Sequence, residues 1–231
     1  CREACPVLDG FPEDEFDNVK GSCAAKSSAD GQDGGAISTI LQSLLEKGTI
    51  DCAVVAGVDE NGHSTTEIIT TGEEVLQTAG SKYAMTSGAA NLKEAVENYE
   101  NVAIVGTPCQ AQAARLLQDN MSDNIKVIIS LFCSKSFTNY GLDKFVTEKF
   151  NTGLKRVKKM SFSKGTVTIS ADQDHTVSEA EIAKIGRKGC TTCMDFTGYH
   201  ADISVGAIGS PAGWNTMIAR TQNGEDMLAQ V

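Results

Sequence analysis

A chain of 231 residues that is 41% hydrophobic and 22% charged can bury a core of its own, which excludes wholesale disorder. Its 30 Asp and Glu against 20 Lys and Arg leave a net charge of −10, which excludes a broadly basic nucleic-acid surface. No run approaches the ~18 apolar residues of a membrane span, and no signal peptide is visible. The chain opens on Cys1 and stops inside the helical-looking GEDMLAQV, so it reads as an excerpt from a longer polypeptide, cut short at its C-terminus. Eight cysteines beside an ordinary core do not describe a disulfide-stapled miniature. The composition points to a reducing cytoplasm, where clustered thiols bind metal or do redox work.

The opening CREACP places Cys1, Cys5 and Pro6 as the end of the ferredoxin pattern C-x2-C-x2-C-x3-C-P, in which short spacing lets thiolates converge on one small cluster. Two ordinary cysteines near a terminus are the plain alternative. Residues 11–20, FPEDEFDNVK, read as an acidic connector, so residues 1–20 are expected to be the tail of a ferredoxin-like 4Fe-4S segment and residues 21–231 a larger domain. GSCAA then reads as a strand, GQDGG as a turn, and AISTILQSLLEKG as a helix, because Ile37, Ile40, Leu41, Leu44 and Leu45 follow helical spacing. CAVVAG is a short buried strand, and a polar tract follows it. TGEEVLQTAG and NLKEAVENY are helix candidates either side of a GSKYAMTSGA loop. NVAIVG and KVIISLFC are two more apolar strands, each followed by a helical segment. Strands alternating with helices predict an α/β fold with a mostly parallel sheet flanked by helices. From VKKMSFSKGTVTIS the rhythm turns to alternation broken at Lys164-Gly165, an added hairpin. A C-x2-C, a Gly-rich loop and a last strand complete the pass.

Cys190-x2-Cys193 is the sharpest local feature, since two thiolates at that spacing can grip one metal or two corners of a cluster. No second C-x2-C exists to complete a zinc knuckle. Cys109 and Cys133 stand just past the ends of apolar strands, where an open α/β sheet presents its crevice, and could supply the missing ligands. Cys23 and Cys52 lie within strand-like segments and are expected to be inert core residues. The loops GQDGG and GAIGS allow backbone amides to approach a phosphate, although ordinary turns read equally well. Lys82-Tyr83 offers a cation beside an aromatic ring, with a solvated Lys and a packed Tyr as the alternative. His63 and His175 fall in polar loops, His200 shares no ligand spacing with them, and no catalytic triad or carboxylate pair emerges.

Taken together, GQDGGAISTIL, EKGTIDCAVVAG, AGSKY, VAIVGTPCQAQAARLL, SLFCSKSF, VKKMSFSKG, GCTTCMDF and ADISVGAIGSPAGWNT resemble, in order, the beta-subunit family of coenzyme F420 hydrogenases and dehydrogenases. The opening stretch CREACPVLDGFPEDEFDNVK is similar to the versions with a ferredoxin module in front, as in the input subunit of F420-oxidising dehydrogenases and the N-terminal half of F420-dependent sulfite reductases. The resemblance implies FAD and 4Fe-4S clusters, with coenzyme F420 as the hydride-exchanging substrate. It implies Cys109, Cys133, Cys190 and Cys193 as the domain's cluster ligands, and Cys1 and Cys5 as ferredoxin ligands. The turn of Gly34, Gly35 and Ser38, with Lys82, Tyr83 and Thr107, looks like part of the flavin site. So do Asp202, Ser204, Gly206, Gly209 and Trp214. Where the family often has Ser-Pro-Asp-Gly-Trp, this chain has Ser210-Pro211-Ala212-Gly213-Trp214, which removes a carboxylate from that loop.

The implied activity is oxidation of reduced F420 by hydride transfer to FAD, with single electrons passing to a downstream domain or subunit in an archaeal, methanogen-like metabolism. F420 transfers hydride and clusters take one electron at a time, so a flavin is expected between them. Such a module is expected to sit in an oligomeric complex in the cytoplasm, or at the membrane surface through a partner. A subunit that reduces F420 for a hydrogenase or formate dehydrogenase is the alternative within the family, and a zinc-stabilised docking domain the alternative outside it. Because F420 is anionic and the chain is at −10, a local basic patch is required; Lys135, Arg156, Lys158, Lys159 and Lys164 are the candidates.

Overall fold

The computed structural model describes residues 13–29 and 31–231. Cys1, Cys5 and the expected ferredoxin-like segment lie outside them, apart from the connector. The most apolar strands, β2 (Cys52–Val58), β4 (Val102–Gly106) and β5 (Ile125–Leu131), pair in parallel, and β5 pairs in parallel with β9 (Ile203–Gly206). Strands buried on both faces read as continuous hydrophobic runs, which is why these were visible in the sequence. Antiparallel strands close both sides: β3 (Ser64–Ile69) beyond β2, and β10 (Asn215–Ala219) then β1 (Gly21–Ala25) beyond β9. The order is β1-β10-β9-β5-β4-β2-β3.

Helices cover both faces. On one, α1 (Ala36–Glu46) sets Ile40, Leu41 and Leu44 against Ala53, Val55, Ala103, Val127 and Ile129, with Val75 of α2 (Gly72–Gln77) beside them. Each fully buried Leu or Ile contributes roughly 1.5–3 kcal/mol there. On the other, α3 (Gly88–Asn98) and α4 (Pro108–Met121) bring Leu92, Ala95, Ala111 and Ala114 onto Val54, Ile104 and Ile128. The helical-looking C-terminal run forms α7 (Gln222–Leu228).

A third core gathers α5 (Asn139–Phe150), the four-residue α6 (Glu179–Ile182) and a separate sheet. The expected hairpin is two strands of a three-stranded meander, β6 (Lys159–Ser163), β7 (Thr166–Ser170) and β8 (Asp174–Ser178). Lys164 and Gly165 turn the hairpin with φ of 49° and 78°, the positive values a two-residue turn of this hand requires.

The structure corrects several expectations. The polar tract after β2 contains strand β3, whose Thr and Glu side chains are tolerated because an edge strand is only half covered. The single last strand is a pair, β9 and β10, with the Gly-rich loop between them. Cys52 is buried as expected, but Cys23 is exposed because β1 is the sheet edge and offers no second layer there. His175 lies in β8, stacked on Phe150 with centroids 4.7 Å apart, and not in a loop.

Candidate functional site

A cavity of about 640 Å³ opens at the carboxyl ends of the parallel strands, lined there by Val55, Val105, Leu131 and Val205. That is the size and place at which α/β sheets hold small molecules. Gly35, Ser38, Lys82, Tyr83, Thr107 and Gly206 all line it, as do Cys109, Cys133, Cys190 and Cys193.

Local chemistry places each element. Gly35 is the N-cap of α1 with φ of 67°, and a Cβ there would come within 2.3 Å of the Ala29 carbonyl. The Ala36 N–H donates to Asn215 Oδ1 at 3.1 Å, tying the turn to β10. Gly34 lies under this turn, packed on Ala25 and Asn215, and does not line the cavity. Thr107 caps α4, where Pro108 occupies the first turn and Gln110 returns a bond to the Thr107 N–H at 2.9 Å. This cap sets Cys109 one residue into the helix, its Sγ 3.3 Å from Thr107 Oγ1. Gly206 is required by the Phe132 ring, which a Cβ would meet at 2.1 Å.

The Lys82 amine is drawn inward. It donates to the carbonyls of Thr78, Ala79 and Gly80, just past α2. Burial pulls its pKa down to about 8, against the opposing charge of Glu67. Burial pushes the Tyr83 phenol up to about 12, with Ser81 opposing and Asp33 adding, and its ring packs 4.7 Å from Phe162.

Three separate segments bring the four cysteines to the same mouth: the start of α4, the stretch just after β5, and the turn over residues 188–193. Burial, then the charges of Cys109, Cys190 and Cys193, push the Cys133 thiol up to about 12. Among the described residues no three His, Cys, Asp or Glu side chains are gathered tightly enough to hold a single metal ion. Four cysteines that reach one cavity wall from three segments are a donor set of the kind a cubane cluster uses at its separate corners.

Other expected residues fall elsewhere. Asp202 is 1% exposed and saturated: Oδ1 accepts from Arg115 Nη2 at 2.8 Å and Thr221 Oγ1 at 2.7 Å, Oδ2 from the Ile128 N–H at 2.8 Å. Ser204 is equally buried, accepting from Arg220 Nε at 2.7 Å and donating to the Gly198 carbonyl. Neither lines the cavity, because both occupy the inner part of β9 and its entrance, where the sheet needs internal partners. Gly209 and Trp214 stand on the β9–β10 loop outside the lining, whereas Ala207 and Ile208 of that loop face in. Of the basic candidates, Lys135 lines the cavity; Arg156 pairs with Asp172 at 3.2 Å on the surface, and Lys158, Lys159 and Lys164 lie away from the lining. Residues not foreseen include Arg187, a further cation on the wall, and Asp195 and Phe196, two and three residues after Cys193. Arg187 sits in the RKG run before Cys190, where its charge beside the cysteine pair was the available signal.

Comparison with known proteins places this architecture. Residues 21–93 match the coenzyme F420 hydrogenase/dehydrogenase beta subunit N-terminal family, and residues 99–231 its C-terminal counterpart. The chain belongs to the F420 hydrogenase/dehydrogenase beta-subunit family. It is 43% identical to one subunit of the F(420)H(2) dehydrogenase of Methanosarcina mazei, across 100% of this chain and 68% of that one. It is 35% identical to the coenzyme F420-dependent sulfite reductase of Methanocaldococcus jannaschii, across 88% of this chain and 35% of that protein. A subunit in the solved F420-reducing [NiFe] hydrogenase complex of Methanosarcina barkeri superposes with a TM-score of 0.87 at 28% identity, over 96% of this chain and 81% of that one. Family membership carries an F420-linked oxidoreductase role.

Proposed function

We propose that this chain oxidises reduced coenzyme F420 in a cavity that also holds FAD, and passes electrons through a 4Fe-4S cluster on Cys109, Cys133, Cys190 and Cys193 to a partner. The observation that carries the reading is the convergence of all four cysteines on the wall of the cavity at the strand ends. When bound, the flavin supplies conversion of a two-electron hydride into single electrons, which the cluster carries away.

The chain's own residues bind and orient. The Gly35 turn and Ser38 let backbone approach a dinucleotide closely at the start of α1. Lys82 offsets negative charge inside the cavity, and Lys135 with Arg187 supply cations for the anionic arm of F420. Tyr83, Leu131 and Phe132 give apolar walls that exclude water. Cys1 and Cys5 are read as ligands of further clusters that receive the electrons, and the partner as a subunit of an assembly in the cytoplasm or at a membrane surface. Among the described residues no helix is long and apolar enough to cross a membrane. The direction follows the relative matched along the entire chain, which carries the name of an F(420)H(2) dehydrogenase. The likeness to an F420-reducing hydrogenase complex favours the reverse direction as the second reading.

Stopped-flow reduction tests the proposal. Protein loaded with FAD and iron should bleach its clusters when mixed with reduced F420, and protein stripped of FAD alone should not. Bleaching at the native rate without FAD overturns the relay. A colourless, zinc-loaded protein overturns the redox reading altogether, and isolation bound to the large chain of a hydrogenase assigns the reverse direction.

A further inference from the structure

The acidic connector is fastened to the loop that follows Cys193. The Glu15 carboxylate accepts from the Phe196 N–H at 2.9 Å, the Thr197 N–H at 2.8 Å and the Thr197 hydroxyl at 2.5 Å. The other side of that Phe196 residue is tied to a cysteine, since its carbonyl accepts from the Cys133 N–H at 2.9 Å. Cys193 Sγ lies 3.6 Å from the Asp195 carbonyl, and the Asp195 carboxylate is held by the Gly198 N–H at 2.7 Å and the Tyr199 N–H at 3.1 Å. Behind them lies Arg220, 1% exposed. Its Nη1 donates to the Glu15 carbonyl at 2.7 Å and Asn18 Oδ1 at 2.6 Å, and its Nη2 to Thr197 Oγ1 at 2.7 Å. Asn18 Nδ2 closes the ring on the Tyr199 carbonyl at 2.9 Å.

A mere linker has no use for a buried guanidinium. Burying that charge costs several kcal/mol unless every donor is paired, so the network is high in stakes and has one arrangement. It joins the connector to the backbone beside two of the four cavity cysteines through a single residue, Phe196.

We propose that Glu15 and Arg220 are positioning residues, a latch by which the connector sets the Cys133 and Cys193 segments at the spacing a cluster requires. The inference rests on reading those cysteines as cluster ligands. Outer partners of this kind hold ligands in place, and losing one typically weakens metal retention by about 10–100-fold. The latch also makes the connector around Glu15 and the loop after Cys193 one unit.

The test uses the full chain with its clusters assembled. Glu15→Gln keeps the volume but replaces one acceptor oxygen with an amide that cannot accept from Thr197. It should start with the parent's iron content, lose iron to a chelator on the order of ten-fold faster well below its melting temperature, and shift the cluster's electron paramagnetic resonance signal. Thr197→Val, which removes the Glu15 bond and also the acceptor for Arg220 Nη2, should lose iron at least as fast, and the double variant should fall short of the two effects summed, since both remove the Glu15–Thr197 contact. Glu13→Gln, on the same connector but outside the network, should match the parent. Parent-like iron loss and an unchanged spectrum in Glu15→Gln overturn the latch while leaving the cluster reading intact. A parent that holds no iron overturns the cluster reading, and the latch with it.

Discussion

The two ends of β9 do opposite things with the same short strand. At the entrance, Asp202 and Ser204 are buried and every polar atom is spent on Arg115, Thr221, Ile128 and Arg220. At the exit, Gly206, Ala207 and Ile208 open onto the cavity whose wall the cysteines share. The entrance is a structural joint between sheet, α4 and the C-terminal segment, and the exit lines the cavity proposed as the site. A polar residue inside a recognisable motif therefore says less than whether its hydrogen-bonding capacity is already filled by protein.

That contrast is open to attack from either end. The largest effect belongs to the open side: Cys133→Ser should remove about four irons per domain, because a cubane needs its full ligand set. Iron analysis after anaerobic reconstitution reads this directly, and Cys52→Ser, in the core of β2, should leave the count unchanged. On the saturated side, Asp202→Ala should cost about 3–5 kcal/mol, since it strands a partly buried guanidinium and an interior N–H. Urea unfolding of the cofactor-free protein measures it, and FAD bound per folded molecule should not change. An Asp202→Ala protein of normal stability that no longer binds FAD would reverse the comparison.

Lys82 sharpens it, as a cation on the cavity wall whose amine is held by three protein carbonyls. Its pKa falls from 10.5 to about 8 on folding, so the unfolded chain holds the extra proton between those values. Stability from this group therefore rises as pH increases from about 8 to about 10.5 and is flat below. The amplitude is about 2 kcal/mol after allowing for its partial exposure. The difference in unfolding free energy between Lys82→Met and the parent, followed across that window, isolates it from the thiols and Tyr83. The smallest effect is at the surface: Arg156→Ala breaks an exposed pair with Asp172 and should change stability by less than about 1 kcal/mol. It should leave the KM for F420 unchanged, whereas Lys135→Ala, on the cavity wall, should raise it several-fold.

By itself the sequence determined whatever depends on near neighbours. Helical spacing in α1, the apolar runs of β2, β4 and β5, the Lys164-Gly165 turn and the paired spacing of Cys190 and Cys193 are all local, and the structure contains each of them. The same local patterns, in their order, carried the family resemblance. Tertiary structure decided what distance along the chain conceals. The edge position of β1 turned Cys23 outward, and the half-covered edge made a strand of a polar tract. Whether Asp202 faced a ligand or a lattice of protein donors depended on Arg115, 87 residues away, and the role of Glu15 on Phe196, 181 residues away. Periodicity records which face of an element is apolar. A buried polar group is specified by its partners, and those are chosen only when the chain has closed on itself.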